Sequence, residues 1–311
     1  MGPLDGARAR AIDVQDAATP APGTIRSAAL RTTLRWVLIL ASLLAVGPLV
    51  AELFTFLRDV DGGRAVTLLV NGSPGVAFAG AAVLIFATLC VGLVAARFFS
   101  LGTALFCAGA VVAWAGSRLG SLESIVRRAG EGKDLFALAV EGLLVTAAAA
   151  GAAALFVRVG GAGAREGSAL ERALYAEPEP VQARASSTAA ALGAAALAAG
   201  AAVWFVALSG ARMQTLAATV AGGIAAGGVA HLLHAHRRLT PVLPMAAMAL
   251  VALAGPLAAY FMEGTRLAAH VYDGSVLSLA RPVSLDWAAG ALIGVPLGLN
   301  WAGASAERRS R

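Results

Sequence analysis

The stretch WVLILASLLAVGPLVAELFTFL, residues 36–57, decides the fold of this chain. It contains a single charged side chain, Glu52. At 1.5 Å per residue, a helix of this length crosses the roughly 30 Å apolar core of a bilayer. An uninterrupted apolar run of this length is typical of a membrane span, so we predict a transmembrane helix here.

The rest of the chain repeats this pattern. It is 59% hydrophobic and 14% charged, whereas about a quarter of the residues of a soluble domain are charged. We therefore predict an all-α, polytopic helical membrane bundle of about eight transmembrane helices, in contact with the lipid bilayer. The predicted spans are residues 36–57, 75–96, 101–117, 135–157, 188–208, 215–235, 241–262 and 287–302.

The segments outside the spans are polar. Residues 1–33 are predicted to form a disordered tail, and residues 304–311 form a second tail. Residues 158–187, with GGAGAREG and EPEP, are predicted to be a flexible linker between spans one to four (34–157) and spans five to eight (188–303). Fifteen Lys and Arg fall on the side of the N-terminus and nine on the other. This bias predicts cytoplasmic termini, in the cytoplasmic membrane of a bacterium.

A shift of 208 residues superimposes the first hairpin on the last. Over positions 41–85, eleven of the 45 aligned residues are identical, including Gly47-Pro48 with Gly255-Pro256, and Pro74 with Pro282. The two hairpins run in the same direction in the predicted topology. The sequence therefore predicts a parallel repeat of helices one and two with helices seven and eight.

The Gly-Pro pairs of this repeat are candidate helix kinks. Proline removes a backbone hydrogen bond from the middle of spans one and seven, so both helices are expected to kink at Gly47-Pro48 and Gly255-Pro256. Interrupted spans at matching positions of a repeat are typical of a transporter's binding site. The alternative is that both prolines only shape the helices for packing.

Three glutamates are the candidate polar site. Glu52 and Glu141 lie about 8 to 9 Å inside the same end of their spans, and Glu263 stands near that surface. A carboxylate at this depth is costly unless it is paired, solvated or protonated, which predicts an open polar vestibule for a cation or proton. The alternative is that the side chains reach the interface or pair with Arg58 or Lys133.

Glycines spaced four apart favour close helix packing. Gly290, Gly294 and Gly298 form one face of span eight, and Gly223 and Gly227 have the same spacing in span six. Such faces drive helix association where the hydrophobic effect gives no net attraction between helices. We expect the first face to bind a second copy of the chain or another membrane protein.

Several functions are disfavoured by the residues present. The formal charge of +6 comes from dispersed arginines, so a nucleic-acid partner is not expected. The patterns typical of a phosphate loop, a serine nucleophile or a zinc protease are absent from the sequence. His231 and His234 share a helix face without a third ligand at that depth. We therefore expect no enzyme activity, metal or cofactor.

Two functions remain after these exclusions. The paired Gly-Pro kinks and submerged glutamates favour a transporter or permease-like protein of unknown substrate. The glycine faces favour the alternative, a non-catalytic scaffold or accessory subunit of a membrane complex. A membrane-bound redox or metal protein is supported only by the histidines.

Overall fold

The computed structural model describes residues 22–57, 63–69, 72–124, 133–160, 185–233 and 241–309, whose long elements are all helices. Short 3-10 turns occupy Gly264–Arg266 and Ser278–Ala280. In chain order the longer elements are α1 (Pro22–Ala41), a π-helical segment (Ser42–Val46), α2 (Gly47–Phe54), α3 (Pro74–Phe98), α4 (Leu101–Ser117), α5 (Lys133–Gly160), α6 (Ala185–Val206), α7 (Arg212–Leu233), α8 (Val242–Glu263), α9 (Leu267–Tyr272) and α10 (Ser284–Arg309).

Seven helical stretches of the described residues are long and apolar enough to span a membrane. They are Ala29–Phe54, Pro74–Phe98, Leu101–Ser124, Asp134–Gly160, Thr188–Val206, Arg212–Leu233 and Val242–Tyr272. Large apolar side chains such as Leu44, Phe78, Phe205 and Phe261 are exposed on the outside of the bundle. The predicted helical membrane bundle is confirmed, and lipid is the solvent that such a surface requires.

The eighth predicted span coincides with α10, which forms the centre of the bundle. It packs against α7, α4, α5 and α8, and residues 281–292 are all buried. At 26 residues, α10 is long enough to cross a bilayer. It is less apolar than the other seven because it carries Asp286 and Asn300. Asp286 is buried in protein and Asn300 is half-buried, whereas Leu297 and Trp301 on the outer face of α10 are exposed.

The helices extend further than the sequence predicted. Helix α1 begins at Pro22, inside the segment expected to be a disordered tail, and α10 continues to Arg309. The predicted linker 158–187 is shortened at both ends by α5 and α6. Residues 1–21 and 161–184 lie outside the described part of the chain.

The described parts of four connections lie at one end of the bundle, which we name the long-loop end: residues 55–57 with 63–69 and 72–73, residues 118–124, residues 207–211 and residues 264–283. The Gly120 N–H donates to the Ala65 carbonyl at 2.8 Å, joining the first two. The Arg281 guanidinium donates to the Ala207 carbonyl at 3.0 Å, joining the last two. At the opposite end Ser100 caps α4 by accepting from the Thr103 N–H at 3.1 Å.

Helices α7 and α10 run parallel and pack through glycine. A side chain added at Gly294 would clash with the Val220 carbonyl, and one at Gly227 with the Val295 carbonyl. Gly298 fits in the same way against Ile224. The predicted close-packing face of Gly290, Gly294 and Gly298 is therefore present, but α7 of the same chain covers it. Binding of a second protein through this face stays a prediction, and it would require α7 to move away, because the two glycine stripes pack against each other.

The two Gly-Pro pairs lie in different local structures. The first follows a π-helical segment, Ser42–Val46, whereas Pro256 lies inside the continuous helix α8. Gly47 packs against the Trp114 ring and Gly255 against the Leu279 carbonyl, so neither position has room for a side chain. The glycine of each pair thus allows a neighbouring residue to pack closely against the helix. The parallel repeat itself stays a prediction.

Replacing Gly294 by Ala tests the α7–α10 contact. We expect the variant to lose about 1 to 3 kcal/mol of stability, since overpacking forces the two backbones apart. The measurement is the midpoint of thermal unfolding in detergent. The matched control is Gly228→Ala on α7, where an added Cβ meets nothing within 4 Å and stability should stay level or rise. Equal losses in both variants would contradict the packing described here.

Candidate functional site: the polar network of the long-loop end

Glu141 joins three separate parts of the chain. It lies on α5 and is only 2% exposed. One carboxylate oxygen accepts the backbone N–H groups of Leu68 and Leu69 at 2.6 and 3.0 Å. The other accepts the hydroxyl of Ser284, the first residue of α10. Charge-assisted bonds of this kind are the strongest hydrogen bonds in proteins, so Glu141 anchors the first loop to the central helix.

Asp286 and Arg212 form a second junction, between α10 and α7. Arg212 Nη2 lies 3.0 Å from Asp286 Oδ1 and donates to the Gly116 carbonyl at 2.6 Å. Asp286 Oδ2 accepts the N–H of Val283, the residue before α10, at 3.1 Å. This is half of a capping box, which fixes the start of the helix. Thr219 donates to the Asp286 carbonyl at 2.8 Å and completes the junction.

Glu263 and Arg281 hold the last loop in place. Glu263 Oε1 accepts the Leu277 N–H at 2.7 Å. Arg281 donates to the Gly274 and Val276 carbonyls at 2.6 and 3.2 Å, in addition to Ala207. Burial lowers the pKa of the Arg281 guanidinium, and the charge of Glu263 opposes that shift. An arginine remains charged at neutral pH, so these bonds to carbonyl groups persist.

Glu52 lies apart from these buried groups. Its carboxylate contacts Arg118 Nη2 at 2.5 Å, and 59% of its side chain is exposed. Arg58 and the side chain of Lys133, the partners considered from the sequence, lie outside the described part of the chain. Glu52, Glu141 and Glu263 thus each bind a different partner in the described residues, and two of the three bind loop backbone.

Three cavities among the described residues are apolar. One of about 300 Å³ lies between α3, α4, α5 and α10. A groove of about 730 Å³ runs between α6 and α8, and one of about 640 Å³ between α7 and α10. No charged residue lines any of the three, and neither Pro48 nor Pro256 reaches them. The candidate vestibule residues therefore line none of these spaces.

Several residues of the network were not singled out in the sequence. Asp286 lies just before the predicted start of span eight, and Arg281 was counted only as a loop charge. Ser284 is 143 residues away from Glu141 in sequence, so no local pattern connects them. The one local signal was an acidic residue, Asp286, a few residues after Arg281 and Pro282. An acidic side chain in the first turn often caps the start of a helix.

The described residues contain no group of three or more His, Cys, Asp and Glu placed to hold a metal ion. His231 ends α7, whereas His234 and His236 lie outside the described residues. Cys90 is exposed and Cys107 is buried, and both are free thiols.

No protein family, curated protein sequence or solved structure matches this chain.

Replacing Glu141 by Gln tests the loop anchor. We expect a loss of about 1 to 2 kcal/mol, because the amide oxygen of Gln can still accept the Leu68 and Leu69 N–H groups but lacks the charge that makes these hydrogen bonds strong. Faster hydrogen exchange at those two amides should accompany a lower unfolding midpoint. Glu52→Gln is the control, and it should cost about 0 to 1 kcal/mol since its ion pair is solvent-screened. If both substitutions had the same effect, Glu141 would not be an anchor.

Proposed function

We propose that this protein is a non-catalytic membrane scaffold or accessory subunit. The observation that carries the proposal is that the buried charged groups are committed to loop backbone and to each other. A transport pathway requires polar groups that a substrate can reach, and the three apolar cavities offer none. A scaffold needs a rigid body and an outer face to which another protein binds.

The groove between α6 and α8 supplies the best candidate for that face. Gly193, Ala196, Gly200 and Ala201 line it on α6, and Leu250 and Ala254 line it on α8. An added Cβ at Gly193 meets nothing within 4 Å, so this small-residue face, unlike that of α10, is not filled by the chain itself. Small residues let the backbone of a second helix approach closely. We infer that a transmembrane helix of a partner protein binds here.

The same proposal places the chain in a bacterial cytoplasmic membrane with both termini inside. The excess of Lys and Arg in the segments on the side of the termini supports this orientation. The long-loop end, with its internal network, would then face outward.

A photoreactive residue at position 197 tests the partner helix. Leu197 lines the groove and is 77% exposed, so p-benzoylphenylalanine here should crosslink in cells to one protein of defined mass. Gly193→Phe should remove that adduct, since the ring fills the groove. Leu144, on the lipid-facing side of α5, is the control position and should give lipid adducts only. Lipid adducts alone from both positions would contradict the scaffold proposal.

A transporter is the second candidate, and the helix breaks favour it. The π-helical segment before Gly47-Pro48 is of a type frequent at functional sites. Proline in α8 frees the Ala252 carbonyl, against which Gly142 of α5 packs. A permease predicts that water reaches these breaks in one of its states.

Cysteine scanning over positions 45–51 and 253–259 separates the two functions. The starting protein has Cys90 and Cys107 replaced by Ala. For a scaffold we expect uniform protection from membrane-impermeant thiol reagents, because the residues around both breaks then face either protein or lipid and not water. Labelling of one helix face around both prolines would instead support a transporter.

A further inference from the structure

The cavity between α3, α4, α5 and α10 contains a buried hydroxyl without a partner. Thr88 of α3 lines it and is 7% exposed. Its Oγ1 is enclosed and has no hydrogen-bond partner among the described residues, so a ligand in the cavity meets it only when the side chain rotates about χ1. Several hydroxyls elsewhere in the chain donate to a carbonyl of the preceding turn, as Thr33, Ser42 and Ser305 do at 3.1, 2.8 and 2.9 Å. Thr88 is thus an exception to the rule that buried polar groups are hydrogen-bonded.

The remaining walls of this cavity are apolar. They include Leu84, Val112, Val145, Ala149, Leu285 and Leu292. The volume of about 300 Å³ is at the small end of ligand pockets. An apolar wall with one convergent polar group is the usual composition of a site for a lipophilic ligand.

The cavity opens to lipid between α3 and α5. Its lining residues Ile85, Ala148, Gly151 and Leu155 are exposed on the outside of the bundle. A ligand dissolved in the bilayer therefore reaches Thr88 without passing through water.

The depth of Thr88 restricts the class of ligand. It stands 14 residues after the start of α3 and 10 before its end, hence about 3 Å from the middle of the helix. Phospholipid esters lie at the edge of the apolar core, about 15 Å from its centre. A charged group at this depth is costly. The oxygen that meets Thr88 must then belong to an uncharged molecule that resides deep in the membrane.

We propose that this cavity binds a neutral membrane-dissolved lipid whose carbonyl or hydroxyl oxygen hydrogen-bonds to Thr88. Quinones and long-chain alcohols share this chemistry, since a threonine hydroxyl both donates and accepts. The site does not depend on the scaffold function and uses none of the residues of the α6–α8 groove.

The test is equilibrium binding of tritiated decylubiquinone and tritiated farnesol to the full chain in phosphatidylcholine nanodiscs. Saturable binding of one probe per chain is expected, and competition between the two identifies the preferred class. Thr88→Val keeps the shape and removes the hydroxyl, so it should weaken binding about fivefold or more. Thr88→Ser keeps the hydroxyl and should bind within about twofold of wild type.

Two matched controls distinguish the site from general lipid contact. Thr146→Val removes another buried, unpartnered hydroxyl that does not line the cavity, and it should leave binding unchanged. Gly151→Phe places a ring in the cavity from a position with nothing within 4 Å of an added Cβ, and it should abolish binding. Gly193→Phe fills the α6–α8 groove instead and should have no effect.

Either of two results would overturn the proposal. One is that neither probe binds saturably to a wild-type protein that unfolds at its usual temperature. The other is that Thr88→Val binds like wild type while Gly151→Phe does not bind, which would assign the cavity to acyl chains held by shape alone.

Discussion

The carboxylate of Glu141 accepts two peptide N–H groups of the first loop and the hydroxyl at the start of α10. This junction supplies the hydrogen-bond partners that an irregular segment needs in a bilayer. Lipid offers no hydrogen-bond partners, so a loop that enters the bundle must find acceptors within the protein. Glu263 meets the same need at Leu277, and Arg281 does so for three carbonyls. The charged side chains of Glu141, Glu263 and Arg281, which would be unfavourable in lipid without partners, hydrogen-bond to the backbone of these loops.

The loop anchors also determine how the helices pack below them. Ser284 and Asp286 fix the first turn of α10 against α5 and α7, and from there α10 descends beside α7 with their glycines in contact. Packing between helices in lipid depends on van der Waals contact, which falls off steeply with distance. The polar junction fixes the start of α10 relative to α7, and the glycines allow the two backbones to come into contact.

The sequence predicts the fold better than the site. The length of the apolar runs was enough to locate the spans, because a helix must be about 20 residues long to cross a bilayer. The glycine spacing correctly indicated close packing. It did not indicate that Gly223 and Gly294 meet each other, since spacing describes one helix and not its neighbour. Glu141 was recognised as costly, but its partners Leu68, Leu69 and Ser284 lie far away in sequence. Three-dimensional proximity alone distinguishes a loop anchor from an open vestibule.

The distribution of polar groups bears on how any ligand reaches the interior. Glu141–Ser284 and Arg212–Asp286 both lie where α10 begins, and removing one partner of such a buried pair is costly. Binding at Thr88 breaks no hydrogen bond, because its hydroxyl has no partner among the described residues. The cavity that Thr88 lines opens to lipid between α3 and α5. The opening of this cavity between α3 and α5 therefore makes the bilayer the route of access for its proposed ligand. The proposed scaffold, with a neutral lipid bound in its wall, leaves these loop anchors intact.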